Sequence, residues 1–112
     1  MEAYLQKMKD IDPYFDFRIY RQADGAPIGV AWMTLSMRFA WIRFGHLIFM
    51  DSMKRQMNSL HWPYNSFVIL DNWRRIFPVV ESLTVSEYFD GYAFAARSLE
   101  AMEPGRKLKD IN

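Results

Sequence analysis

The feature that most constrains the fold is a short apolar run that ends in an acid, residues 46–51 (His-Leu-Ile-Phe-Met-Asp). Two further apolar runs follow it, at residues 60–70 and 75–80, and a helical pattern begins at about Glu87. The order strand, strand, strand, helix predicts a sheet with a helix packed on it, which is an α+β fold. Asp51 then stands at the carboxyl end of the first of these strands.

The segment upstream predicts a short helix and a hairpin. Residues 2–9 have weak helical periodicity, and Pro13 sets the limit of that helix. Residues 14–21 alternate between apolar and polar side chains, as a half-buried strand does. A turn at residues 24–25 (Asp-Gly) then favours a returning strand over residues 28–32.

A second helix is predicted between this hairpin and the Asp51 strand. Thr34 or Ser36 can cap its first turn, and Gly45 follows its last one. The apolar residues at helical spacing are Met33, Met37, Ala40, Trp41 and Phe44.

Prolines guide the interpretation of the two strands after Asp51. Residues 60–70 contain Pro63, and a proline inside a strand predicts an edge position. Residues 71–72 (Asp-Asn) form a turn, and residues 75–80 form a strand whose Pro78 limits its ladder bonding. We therefore expect three successive antiparallel strands.

The C-terminal part predicts one longer helix. Residues 84–87 (Thr-Val-Ser-Glu) fit a capping box, and residues 104–105 (Pro-Gly) end the helix. Residues 105–112 could begin a short fourth strand parallel to the first. The predicted buried stripe of the helix comprises Tyr88, Tyr92, Ala96 and Leu99, widened by Phe89 and Ala93.

Composition limits the possible classes of protein. The 112 residues are 51% apolar, which is enough for one core, and a net charge of +1 gives no global attraction to DNA or to anionic membranes. There is no cysteine, so disulfides and thiolate metal sites are excluded and a reducing compartment is expected. Charged residues interrupt residues 28–50, so no membrane span is expected there. The residues expected in the core include Trp32, Met33, Trp41 and Met50.

Residues 29–112 resemble the central domain of Mutator-like element transposases, and of their domesticated relatives in which an RNase H-like domain accompanies a SWIM zinc finger. In that family an apolar strand ends in the first catalytic aspartate, followed by an asparagine and an aromatic-proline segment. Later come a Pro-Val pair, an acid at the helix start, aromatics within the helix, and a proline before the second aspartate. The matching residues here are Asp51, Asn58, Trp62, Pro63, Tyr64, Pro78, Val79, Glu87, Tyr92, Phe94, Pro104 and Asp110.

The resemblance implies a partial RNase H-like fold over residues 29–112, with residues 1–28 as an N-terminal helix and hairpin flank. Asp51 and Asp110 would be its metal ligands, because paired carboxylates that hold Mg²⁺ or Mn²⁺ activate water or a 3′-hydroxyl against a phosphodiester. The family's third acid, a glutamate, would lie beyond Asn112. The resemblance therefore implies a fragment with an incomplete site, and a nuclear, intracellular location.

Other candidate contacts follow from local patches. Lys54 and Arg55 could contact phosphates, with Asn58 beside them, although paired basic residues in loops are usually solvated surface. An aspartate that ends a strand, such as Asp51, most often forms a turn. Glu87 is more simply explained as a residue of the capping box than as a metal ligand. DNA, a protein partner and a second copy of the chain are all possible partners.

Three functional classes remain open at this point. The first is a transposase-derived RNase H-like domain that lacks independent catalysis and serves nucleic-acid or protein interaction, and it is favoured. The second is an active metal-dependent DNA transposase domain within a longer protein. The third is a small α+β protein-binding module, for which a large exposed aromatic patch would be the sign.

Overall fold

A computed structural model describes residues 2–53, 62–85 and 91–103, with the backbone alone described at residues 51–53 and 91–92. The described residues form three helices and five strands, so the α+β class is confirmed. In chain order these elements are α1 (Glu2–Ile11), β1 (Asp16–Arg21), β2 (Pro27–Met33), α2 (Leu35–Phe44), β3 (Ile48–Met53), β4 (Tyr64–Leu70), β5 (Ile76–Thr84) and α3 (Gly91–Met102).

The strands form one antiparallel sheet in the order β1-β2-β5-β4-β3. Its centre is β5, which pairs with β2 over residues 81–84 and with β4 over residues 76–83. The N-terminal hairpin therefore extends the sheet beyond β5. A boundary placed at residue 29 falls inside β2.

The predicted edge position of the strand in residues 60–70 is wrong, because β4 lies between β5 and β3. Pro63 precedes β4 and does not enter its ladder, so its missing N–H costs no strand pairing. Its carbonyl oxygen instead accepts a hydrogen bond from the Thr84 N–H at 3.1 Å. The proline thus marks the beginning of an interior strand.

Pro78 lies inside the central strand, where a bulge accommodates it. The register with β4 shifts between Phe67, which pairs with Val80, and Val68, which pairs with Pro78. On its other side β5 is paired with β2 only from Glu81 onward. The proline therefore occupies the half of β5 that needs no second ladder partner.

Helices α2 and α3 cover one face of the sheet and enclose the main core. Trp41 of α2 is fully buried there, as predicted, together with Met33 of β2. Arg38 of α2 forms a part-buried ion pair with Glu103 at 3.0 Å, and its guanidinium also donates to the Met102 carbonyl. This contact joins α2 to the carboxyl end of α3, where helix carbonyls lack partners within the helix.

Helix α1 lies over the opposite face, on the hairpin. Leu5, Phe15 and Val30 form a second buried cluster there, as the alternation in residues 14–21 predicts. Exposed ion pairs join Lys9 to Asp16 at 3.3 Å and Arg21 to Glu2. Exposed pairs contribute little to stability, so the apolar cluster is the main attachment of α1.

One prediction about a buried residue is wrong, and another is confirmed only in part. Met50 is 45% exposed, because β3 is at the edge of the sheet that the described strands form. In α3, Leu99 is buried as predicted, whereas Ala93 and Ala96 are only partly buried. The other members of the predicted stripe, Tyr88, Phe89 and the Tyr92 side chain, lie outside the described residues. The buried residues of α3 are Phe94, Ala95, Ser98, Leu99 and Met102.

The structure selects Thr34 over Ser36 as the cap of α2, since the Thr34 hydroxyl accepts from the Met37 N–H at 3.2 Å. We expect Thr34→Ala to lower the free energy of unfolding by about 1 kcal/mol, because an orphan helix N–H loses its partner. Ser36→Ala is the matched control and should change it by less than about 0.5 kcal/mol. Urea denaturation followed by circular dichroism measures both, and equal losses would contradict the assignment.

Candidate functional site

Asp51 belongs to a line of residues that crosses four strands. Its Cα partner in β4 is Ser66, the partner of Ser66 in β5 is Glu81, and the partner of Glu81 in β2 is Trp32. We call these four residues the Asp51 row. Strands are spaced about 4.8 Å apart, so the Asp51 and Glu81 backbones are about 10 Å apart.

The other predicted site residues cannot be compared with this geometry. Asp110 is beyond residue 103, and Lys54, Arg55 and Asn58 fall between residues 53 and 62, so all four lie outside the described residues. For Asp51 the backbone register alone is described. Its pairing with Asp110, and the phosphate contacts of the basic pair, stay predictions.

Glu81 is an ionisable residue of the row that the sequence analysis missed. It is half-buried, and its carboxylate accepts hydrogen bonds from the side chains of Trp32 and Tyr64. Burial raises the pKa of the Glu81 carboxyl, and these two hydrogen bonds oppose that rise without cancelling it. The Glu81 carboxyl is therefore protonated more readily than that of an exposed glutamate.

The position of Glu81 left only a weak signal in the sequence. An acid within the apolar run Val79, Val80, Glu81 could have indicated a polar contact on that face of the strand. Its donor Trp32 is remote in sequence, and its composition predicts a core position. The pairing of β2 with β5 brings the two together, and local patterns contain no information about it.

An apolar cavity of about 380 Å³ borders the row beneath α1. Trp32 and Leu83 contribute to its sheet side, and Leu5 and Met8 of α1 contribute to its other side. Trp32 therefore contacts the cavity and also donates to Glu81. Chemically, this region combines an apolar space with a carboxyl group whose charged form is disfavoured.

Within the described ranges, residues 2–53, 62–85 and 91–103, no group of three or more histidine, aspartate and glutamate side chains is arranged to hold a metal ion. The same part of the chain contains no helix that is both long and apolar enough to cross a membrane.

Comparison with protein-family models, with curated proteins and with solved structures gives no match for this chain.

The raised pKa of Glu81 predicts how stability depends on pH. The pKa of Glu81 is higher in the folded protein than its ordinary value of 4.5. The contribution of Glu81 to the free energy of unfolding is therefore fully present below pH 4.5, and it is lost as the pH rises through the pKa of the folded state. Glu81→Gln has no such titration. We therefore expect the unfolding free energy of Glu81→Gln, relative to the unsubstituted protein, to increase as the pH rises above 4.5.

Urea denaturation at a series of pH values measures this difference. Asp10→Asn, on the exposed side of α1, is the control and must not reproduce the trend. A relative stability of Glu81→Gln that falls with rising pH would show that the carboxylate is favoured in the folded protein.

Proposed function

We propose that this chain is a transposase-derived RNase H-like domain that lacks independent catalysis and serves as an interaction module. The observation that carries the proposal is the succession β3, β4, β5 and α3. The three strands are antiparallel neighbours, and the helix packs against the sheet that they form. Asp51 is the fourth of six residues in the first of these strands.

The edge position of β3 supports this ancestry. In an RNase H-like fold, the strand that carries the second acid lies beside the first strand and parallel to it. Among the described strands, β3 has a partner on one side only, so its other side can accept a further strand. Residues 105–112, which contain Asp110, are the segment proposed for that position.

The Asp51 row supports the loss of catalysis. A two-metal site needs carboxylates that are open to the metal ions and fully ionised. The acid nearest to Asp51 along the row is Glu81, since Ser66 lies between them. Glu81 accepts hydrogen bonds from Trp32 and Tyr64, and its pKa is raised by burial, so both its lone pairs and its charge are less available to a metal.

A disulfide experiment tests the proposed ancestry. The chain has no cysteine, so an introduced pair is unique. Adjacent strands bring Cα atoms within the 4.4–6.8 Å (roughly) that a disulfide needs. We expect Asp51→Cys combined with Asp110→Cys, or with Ile111→Cys, to form an intramolecular disulfide on mild oxidation.

Asp51→Cys combined with Asp16→Cys is the matched control, because β1 is at the opposite edge, about 19 Å away across four strand spacings. Mass spectrometry and non-reducing gels of the monomer detect the bond. Absence of the disulfide in both test pairs would overturn the RNase H-like placement of residues 105–112.

The second test concerns catalysis. Supercoiled plasmid DNA is incubated with the purified chain and Mg²⁺ or Mn²⁺, beside the Asp51→Asn variant. We expect no nicking that depends on Asp51, because the row offers no open second carboxylate. Nicking by the unsubstituted chain that Asp51→Asn abolishes would instead establish an active metal-dependent nuclease centre.

A further inference from the structure

A concave surface on the helix-bearing side of the sheet is not used by the candidate site. It lies between α2 and the turn that joins β4 to β5, and it encloses about 280 Å³. We call it the α2 cleft. Its wall is formed by Phe39, Arg43 and Phe44 of α2, by Ile69 and Phe77 of the strands, and by Asp71 of the turn.

The α2 cleft is apolar but open to solvent. Phe39 is 55% exposed and Phe77 is 37% exposed, although Phe77 pairs with the buried Ile69 on the face that the helices cover. Helix α2 thus stops short of this part of the sheet. Exposed aromatic side chains beside a concavity are typical of a surface that binds a partner.

The β4–β5 turn is held by one carboxylate. Asp71 accepts hydrogen bonds at 2.8 Å from the backbone N–H groups of Trp73 and Arg75, and again from Arg75 Nε. Burial raises the pKa of Asp71, but these hydrogen bonds and the Arg75 charge outweigh that effect, so the net result is a lowered pKa. Asp71 is therefore ionised, and its charge is balanced by Arg75.

The same turn displays an aromatic ring and a strained arginine. Trp73 is 73% exposed, and the Arg75 guanidinium lies 5.1 Å from its ring centre. Arg74 has φ +61°, a left-handed conformation that costs about 1 kcal/mol in a residue other than glycine. The Asp71 N–H donates to the Arg75 carbonyl at 3.0 Å, so residues 72–74 form a three-residue hairpin loop. The last residue of such a loop, here Arg74, is ordinarily glycine. The turn thus presents an arginine where local stability favours glycine, which is typical of a functional constraint.

The charge that remains at the cleft is positive. Arg43 lines it and Arg74 lies on the adjoining turn, and neither forms an ion pair with an acidic side chain of the described residues. Both are exposed. Because Asp71 is already balanced by Arg75, carboxylates of a partner would meet two guanidinium groups here that no acid of the described residues compensates.

These features favour a protein partner over a nucleic acid. Single strands bind along a track of cations and stack their bases on open aromatic faces. Here two cations flank a concavity sized for one or a few apolar side chains, an acid lines its wall, and Arg75 already covers one face of Trp73. Exposed tryptophan and arginine beside an apolar pocket are typical of protein interfaces.

We propose that the α2 cleft binds a protein segment that inserts an apolar side chain between Phe39 and Phe77 and places carboxylates beside Arg43 and Arg74. This inference rests on the proposed role as an interaction module and names the kind of partner that the module binds. It does not depend on the transposase ancestry, so a failed disulfide test and a failed binding test are distinguishable.

Selection from random peptides displayed on phage, with the full chain as bait, tests the proposal. We expect the enriched peptides to carry an aromatic or large aliphatic residue flanked by aspartate or glutamate. The affinity of an enriched synthetic peptide is then measured by fluorescence polarisation. Arg43→Gln should weaken it about tenfold, as expected for the loss of a charge-assisted hydrogen bond.

Matched variants separate the cleft from general effects. Phe39→Ala removes an apolar wall of the cleft and should also weaken binding about tenfold. Ile42→Ala is its control on the same helix, since Ile42 is exposed but does not line the cleft. Arg18→Gln on β1 is the control for charge. Both controls should leave the affinity within about twofold, and circular dichroism confirms that each variant is folded.

Several outcomes would overturn the proposal. Failure to enrich any peptide, enrichment without acidic residues, or affinities insensitive to Arg43→Gln and Phe39→Ala would each do so. Single-stranded oligothymidylate that binds through Arg43 when peptides do not would assign the surface to nucleic acid. Self-association that Phe39→Ala abolishes, without peptide binding, would assign it to a second copy of the chain.

Discussion

The structure depends on one short stretch of backbone, residues 81–83, which is paired on both sides. On one side it bonds to β2 and on the other to β4, so it joins the N-terminal hairpin to the meander of β3, β4 and β5. Without this pairing, β1 and β2 would be a two-stranded hairpin, which is marginally stable in water. The continuous sheet then gives α2 and α3 a common surface to cover.

The same stretch separates two chemical environments. Ser82 is buried, and its hydroxyl donates to the Asn65 carbonyl at 3.0 Å. Glu81 is in register with Trp32 and Ser66, and its carboxylate meets the Trp32 indole. Because side chains alternate along a strand, a shift of one residue in register would exchange these environments. The pairing that stabilises the sheet therefore also determines the ionisation of Glu81.

Local signals were sufficient for the existence and order of most elements. Proline after α1, alternation in β1, the Asp-Gly turn and the Thr34 cap each act within a few residues, and the structure has the corresponding elements. Gly45 follows α2 as expected, yet its φ of −73° shows that no left-handed cap is used. Signals of this kind describe where an element begins and ends, because they satisfy backbone groups close in sequence.

Errors arose where the outcome depends on a distant neighbour. The edge position of β4 was inferred from Pro63, but the sheet order is decided by which strands pair across long separations. Met50 has an apolar side chain, which favours the core, but it lies on β3 at the edge of the described sheet and is therefore exposed. The buried side of α3 is determined by where the helix crosses the sheet. The α3 residues buried in the core there are Phe94, Ala95, Leu99 and Met102.

The sequence by itself determined an α+β chain, with a hairpin and a helix ahead of three strands and a further helix, and with Asp51 in the first of those three strands. Only the tertiary structure decided that β5 is central, that Glu81 shares a row with Asp51, and that α2 leaves a cleft beside the β4–β5 turn. The physical reason is the separation along the sequence over which each interaction acts. Caps, turns and side-chain alternation act over a few residues, whereas burial, strand order and the pKa of a carboxyl depend on groups that folding brings together from distant parts of the chain.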